Sequence, residues 1–338
     1  MGAVLVLSGA VYARGQNAPA AMTEKEVIQE LKKQGPEQLQ KDLSQRGTDF
    51  DMSPEIEKKL HKANASDETI KAVTNAGPKA RAAAKAAAMG AGGGLQLPAE
   101  EEKAFTALRN ELDPDKAIAM AEDYAKKYPD GKGLSYVYAF EANAYQQKGD
   151  VGKIVTLCEK SLELKKDNLM SLIMIVSMMP QPQYLNQHEA DKEKQLSLCE
   201  TYATDALKLI DEQVKKQENE SDADFAKRKA EYAAGIHSGL GMVHLDRSEM
   251  GLAGPDKDEL SKAEQEYNTA VTSTTRPDSR DYYRLGEAYN LDGKIDQAIE
   301  AFTKAGELGQ GTAIKQYADK QIENLKARKA QPAAPAKQ

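Results

Sequence analysis

The sequence predicts an all-α protein, a right-handed α-solenoid of helical hairpins preceded by a small, separate helical module. Three observations predict it. From Glu100 to about Leu325, apolar residues recur at helical spacing with almost no alternating β-branched runs, so no strand is needed. Helix start and stop signals recur along the chain, with Ser, Thr or Asp at starts and Gly or Pro at stops. Composition supplies the third: Trp is absent, Phe is rare, and 40% hydrophobic residues with a mean hydropathy of -0.65 leave little apolar surface for a deep core. Thin helical layers packed on their neighbours suit such a chain.

The charge excludes one class of partner. A net charge of -7 and a pI near 5.4 give no electrostatic case for wrapping nucleic acid. The basic residues Lys79, Arg81 and Lys85, and Lys326, Arg328, Lys329 and Lys337, lie in two segments without an acid, so the remainder is more acidic than the whole.

Residues 1–13 read as a signal peptide, an apolar stretch closing on Val11-Tyr12-Ala13 with cleavage after Ala13. This places the mature protein in the periplasm or outside the cell. No Lys or Arg precedes the apolar run, so either the start lies upstream of Met1 or the stretch is a mildly hydrophobic terminus and the protein is cytoplasmic. The stretch is too short to span a bilayer, and no other run is long enough, so no membrane span is expected after cleavage.

Residues 23–77 are expected to form a small four-helix module. Thr23 with Glu26 is a capping box before Val27, Ile28 and Leu31, and Gly35-Pro36 ends that helix and starts the next. Gly47 ends the second, Ser53-Pro54 opens a third with Ile56 and Leu60, and Ser66 opens a fourth with Ile70 and Val73. The module resembles small helical units of exported bacterial repeat proteins, which implies an interaction or spacer role. Residues 78–99 follow as an Ala-rich basic stretch and a Gly run, read as a flexible linker. A phosphate-binding loop is excluded there, since no Lys-Ser or Lys-Thr follows the glycines. Residues 100–325 are the repeat array with a capping helix, and residues 326–338 a disordered tail.

Within the array, Tyr282, Leu285, Gly286, Tyr289, Ala298, Phe302 and Ala305 reproduce the tetratricopeptide pattern, lacking only its final Pro, where Gln310 stands. On these residues the chain is identified as a member of the tetratricopeptide-repeat family, of exported bacterial type. Gly286 and Ala298 are small where two antiparallel helices approach, and Tyr289 and Phe302 fill the wider gaps. Asp292-Gly293 makes the turn. Degenerate copies keep the register. Leu240, Gly241 and His244 lead to Ala263, Tyr267 and Ala270 across a longer turn around Ser248 to Lys257, and Tyr138, Ala142 and Tyr145 lead to Ile154, Cys158 and Ser161. A first partial repeat carries Ala117, Ala121 and Tyr124 and ends at Pro129. Between these, a helix with Leu172, Ile175, Val176 and Met179 is broken at Pro180-Gln181-Pro182. A following helix with Cys199, Ala203 and Ala206 runs past Leu209, so this hairpin should protrude. Ile314, Tyr317, Ile322 and Leu325 give the capping helix.

The resemblance implies a concave groove for a partner peptide or helix, lined by Tyr136, Asn143, Gln146, Ser238, Met242, Arg280, Tyr283, Arg284, Glu287 and Asn290. Arg280 and Arg284 match two basic positions of the family's carboxylate-gripping version, whereas Ala139 stands where that version has Lys. The residues themselves carry no catalytic constellation: no nucleophile motif, no zinc-protease motif and no acid pair in an apolar setting. His237 and His244 share a helix face, but further ligands at matched geometry are absent, and both coincide with packing positions. Met170, Met174, Met178 and Met179 read as core before an adaptable surface. Cys158 and Cys199 are either one disulfide or two small buried hydrophobes, and the repeat register favours the latter. The sequence is therefore expected to encode a non-enzymatic scaffold for another protein, without cofactor, metal or small-molecule substrate. A structural or assembly spacer of an envelope complex is the alternative, and a regulatory subunit of an enzyme is a third reading.

Overall fold

The computed structural model describes residues 21–77, 95–216, 220–251 and 254–330. The expected signal at residues 1–13 and most of the expected linker lie outside these. The chain divides into two compact units, one ending at Gly149 and one beginning at Asp150. The repeat expected to join Tyr138 to Cys158 straddles that boundary. Among the described residues every extended element is a helix, and the one β-bridge joins Met22 to Thr48.

The first unit opens with α1 (Glu24–Gln34), α2 (Pro36–Arg46), α3 (Pro54–Lys62) and α4 (Asp67–Asn75), starting and stopping at the residues that signal it. At α1 the Glu26 amide donates to Thr23 Oγ1 at 3.3 Å and the Thr23 amide donates back to Glu26 Oε2 at 2.8 Å, which closes the capping box. Ser53 and Ser66 cap α3 and α4 by single bonds, each hydroxyl accepting from the amide three residues on. Val27, Leu31, Leu39, Leu43, Leu60, Ile70 and Val73 converge in one core. Thr48 is wholly buried beneath it, and its amide donates to the Ala76 carbonyl at 2.9 Å. Further along, α5 (Ala99–Arg109), α6 (Pro114–Lys127) and α7 (Leu134–Lys148) pack through Phe105, Ala117, Ala121, Tyr124 and Phe140. Tyr124 donates its hydroxyl to the buried Glu101 at 2.7 Å, a bond that fixes α6 against α5. Tyr138 and Tyr145 are half-buried on α7.

The second unit runs through α8 (Val151–Leu164), α9 (Leu169–Met178), the single turn α10 (Pro182–Leu185), α11 (Lys192–Gln213), α12 (Asp222–Ser248), α13 (Lys257–Thr272), α14 (Ser279–Leu291), α15 (Ile295–Leu308) and α16 (Ala313–Ala330). Each long helix packs on the next. A second set of contacts joins α9 to α12, α12 to α14 and α14 to α16, which is the stacking of an α-solenoid. As the sequence implies, α11 and α12 are long, at 22 and 27 residues.

The repeat register rests on two equivalent contacts. A Cβ on Gly286 would lie 2.8 Å from the Phe302 ring, and one on Gly241 would lie 2.8 Å from the Tyr267 ring. Both rings are fully buried, as are Ala263, Ala298 and Ala305, while Leu240 and Leu285 are nearly so. Tyr289 is half-buried, and its hydroxyl accepts from Asn268 at 2.8 Å. Gly293 takes φ of 81° in the tight turn between α14 and α15, a left-handed conformation that favours glycine.

Cys158 and Cys199 are both free and buried in this core, where burial pushes their thiols upward. Met170, Met174 and Met179 are likewise buried. One boundary differs from expectation: α16 continues to Ala330 instead of yielding to a tail at Lys326. Arg328 donates to Asn290 at 2.7 Å and Lys329 pairs with Asp296, so the last turn has tertiary partners that the sequence pattern does not reveal.

Replacing Gly286 by Leu should drive a side chain into the Phe302 ring and cost on the order of 3 kcal/mol. Thermal melting followed by circular dichroism should show a midpoint roughly 10 °C lower. An unchanged midpoint would show that α14 and α15 separate freely and that the contact does not set the register.

Candidate functional site

On α12, Ser238, Met242 and Asp246 recur every four residues and fall on one face, and on α14 Arg280, Arg284 and Glu287, spaced by four and three, share another. The two faces meet in a cluster of half-buried charges. Ser238 donates its hydroxyl to Asp281 Oδ1 at 2.5 Å, tying α12 to α14. Lys192, at the start of α11, places its Nζ 3.3 Å from Asp246 Oδ1. The Arg280 side chain folds back on Asp278, the N-cap of α14, with Nε 3.0 Å from Oδ1. Arg284 lies in the field of Asp246, Asp281 and Glu287 together.

Partial burial weakens the hydration of these carboxylates and favours their protonated forms. Burial pushes Glu287 up to about 7, with Glu249 adding to the rise and Arg284 opposing it. Asp246 is pushed up to about 6 by burial, against the pull of Lys192 and Arg284. Asp281 is raised as well, because burial and Asp278 outweigh the hydrogen bond from Ser238. Among the described residues the Glu287 carboxylate has neither a hydrogen bond nor an ion pair.

The ten groove positions separate on this geometry. Ser238, Arg280, Arg284 and Glu287 come together. Met242 is only 6% exposed and packs in the core with Tyr267, Leu285 and Ala288, because its long apolar side chain fills the space between α12 and α13. Tyr283 packs edge-on to Phe302 at 5.2 Å and accepts at its hydroxyl from Gln321 of α16 at 3.4 Å. Asn290 accepts from Arg328 of the same helix. Both therefore help seat the capping helix. Tyr136, Asn143 and Gln146 belong to α7 in the other unit, each half-buried, with Tyr136 edge-on to Phe105 at 6.3 Å.

The sequence reading missed Lys192, Asp246 and Asp281. Asp246 lies two helical steps beyond Ser238 and was within reach of the same periodicity, but nothing in sequence brings Lys192 of α11 to that face. On the opposite side of α12 the histidines meet glutamates of α13: His237 Nδ1 lies 2.6 Å from Glu266 and His244 Nδ1 2.8 Å from Glu259. Arg247 completes that side with Glu193, Glu200 and Glu259. Among the described residues no three His, Cys, Asp or Glu side chains converge to hold a metal ion, and no helix is long and apolar enough to cross a membrane.

Stacked hairpins with small-residue and ring contacts define an all-α helical-repeat protein of tetratricopeptide-like fold. No family model matches the chain, and no curated protein matches it. Among solved structures it is similar to the MamA RS-1 ArsTM double mutant, at 16% identity and a TM-score of 0.41, over 63% of this chain and 96% of that one. It is also similar to TTC0263, a thermophilic TPR protein in Thermus thermophilus, at 16% identity and a TM-score of 0.39, over 66% of this chain and 96% of that one.

The raised carboxylates give stability a definite pH dependence. A carboxyl whose folded pKa exceeds its unfolded value binds extra protons in the folded state, so its contribution is complete below about pH 4.5 and is lost as pH rises through the folded value. For Glu287 that loss runs from about pH 4.5 and is nearly complete at about pH 7. Glu287→Gln should therefore melt with the parent near pH 4 and a few degrees above it near pH 8, a difference on the order of 1 kcal/mol after allowance for partial exposure. Parallel melting curves at both pH values would refute the assignment.

Proposed function

We propose that this protein is a non-enzymatic scaffold that binds a segment of another protein, a peptide or a helix, against the charged face of α12 and α14. The observation that carries this reading is the grouping of half-desolvated charges there. Holding Asp246, Asp281 and Glu287 in partial burial costs the free protein stability, as their upward displacement records. Such a cost is offset when a bound partner supplies the missing interactions. The apolar leader supports a periplasmic or secreted location, and the residue pattern supports a partner held by side chains lining successive first helices.

A second reading has its own observation. The module formed by α1 to α4 encloses a separate hydrophobic core, which suits a spacer or assembly component that contacts a different partner there. The two readings part on Arg284. Capture of partner proteins from envelope extract by the full chain should change at least tenfold for Arg284→Gln under the scaffold reading, about 1.4 kcal/mol, rising for a basic segment and falling for an acidic one. The variant's melting should stay within a few degrees of the parent. Unaltered capture by a folded variant would favour the spacer.

A further inference from the structure

The charges on this face do not balance. Lys192 is matched to Asp246 and Arg280 to Asp278, which leaves Arg284 among Asp281, Glu287 and the nearby Glu249. The excess is acidic, and Asp281 and Glu287 within it are half-buried. Glu287 stands out within it, since among the described residues its carboxylate has no donor at all, whereas Asp281 has Ser238 and Asp246 has Lys192. An anionic group such as a chain's terminal carboxylate would approach Arg284 only by also approaching Asp281 and Glu287, whose charges oppose it. A cation meets the opposite situation: it gains the unmatched carboxylate and leaves the existing pairs intact.

We infer that this face receives a basic side chain, arginine or lysine, from the bound segment, seated against the carboxylate of Glu287. The inference rests on the scaffold reading above and fixes the chemistry of the segment it takes. It also separates this chain from the carboxylate-gripping form that Arg280 and Arg284 suggest in sequence. Arg280 is folded back on Asp278, and Arg284 lies in the field of Asp246, Asp281 and Glu287, so an anion would meet opposing charge at either.

Fluorescence anisotropy of the full chain with two short, end-blocked labelled peptides tests this, one alternating Ala with Arg and Lys and one alternating Ala with Glu. The basic peptide should bind, and Glu287→Gln should weaken it about tenfold, as expected for loss of one partly desolvated charge pair. Glu300→Gln, the same charge change at an exposed position of α15, should alter binding less than about twofold, which separates a site from general attraction to an acidic protein. Asp246→Asn provides a second variant should Glu287→Gln fail to fold, and it too should weaken the basic peptide, because Lys192 is then left uncompensated on the same face. Equal effects of Glu287→Gln and Glu300→Gln would overturn the inference. So would binding of the acidic peptide that depends on Arg284, although the scaffold reading would then stand. If neither peptide binds, the inference falls, and Arg284-dependent capture of a partner from extract decides separately whether the scaffold reading survives.

Discussion

The second unit depends on how closely two helices can approach when one presents a glycine to an aromatic ring on the other. At Gly286 against Phe302 and at Gly241 against Tyr267 there is no room for even a Cβ without moving the ring. A single ring thereby fills the layer between paired helices, which is how a chain with few Phe and no Trp buries a continuous core. Because the contact lies within one hairpin, it does not depend on the length of the connecting turn. The α12–α13 connection is longer than the α14–α15 turn, yet both hairpins hold the same glycine-to-ring geometry.

Thin layers have an electrostatic consequence. A side chain on an inner helix face is screened from water by neighbouring helices without being enclosed, so carboxylates there lose part of their hydration and few of them gain a full set of donors. Asp246, Asp281 and Glu287 all show this, whereas carboxylates on exposed faces find lysines at little cost and correspondingly little gain. Partial desolvation without pairing is therefore a property of position in the stack.

What was legible in the sequence follows the range of the interactions. Helix ends in the first unit were legible because caps are local: Thr23, Ser53 and Ser66 bond to amides three residues away. The repeat was legible because small and aromatic residues keep fixed offsets within one hairpin. The candidate site was legible only in part. Helical periodicity places Ser238, Arg280, Arg284 and Glu287 on their faces, but it cannot tell that α16 will engage Tyr283 and Asn290, nor that Met242 will turn into the core. Those outcomes depend on which helix packs next, and the same blindness hid Lys192 and the extension of α16 to Ala330.

The two sides of α12 sharpen the case for where a partner belongs. This helix touches α9, α11, α13 and α14, so its residues are pressed from most directions. On the side toward α11 and α13, these groups are paired: His237 with Glu266, His244 with Glu259, and Arg247 with three glutamates. That side is complete as it stands, and a ligand there would have to break pairs before forming its own. On the side toward α14 the acids outnumber the bases and, among the described residues, Glu287 lacks a donor. A basic side chain on that side would gain a pair that the described residues do not supply, so the balance of desolvation against Coulomb attraction is the ground for proposing the α12–α14 face and not the opposite one.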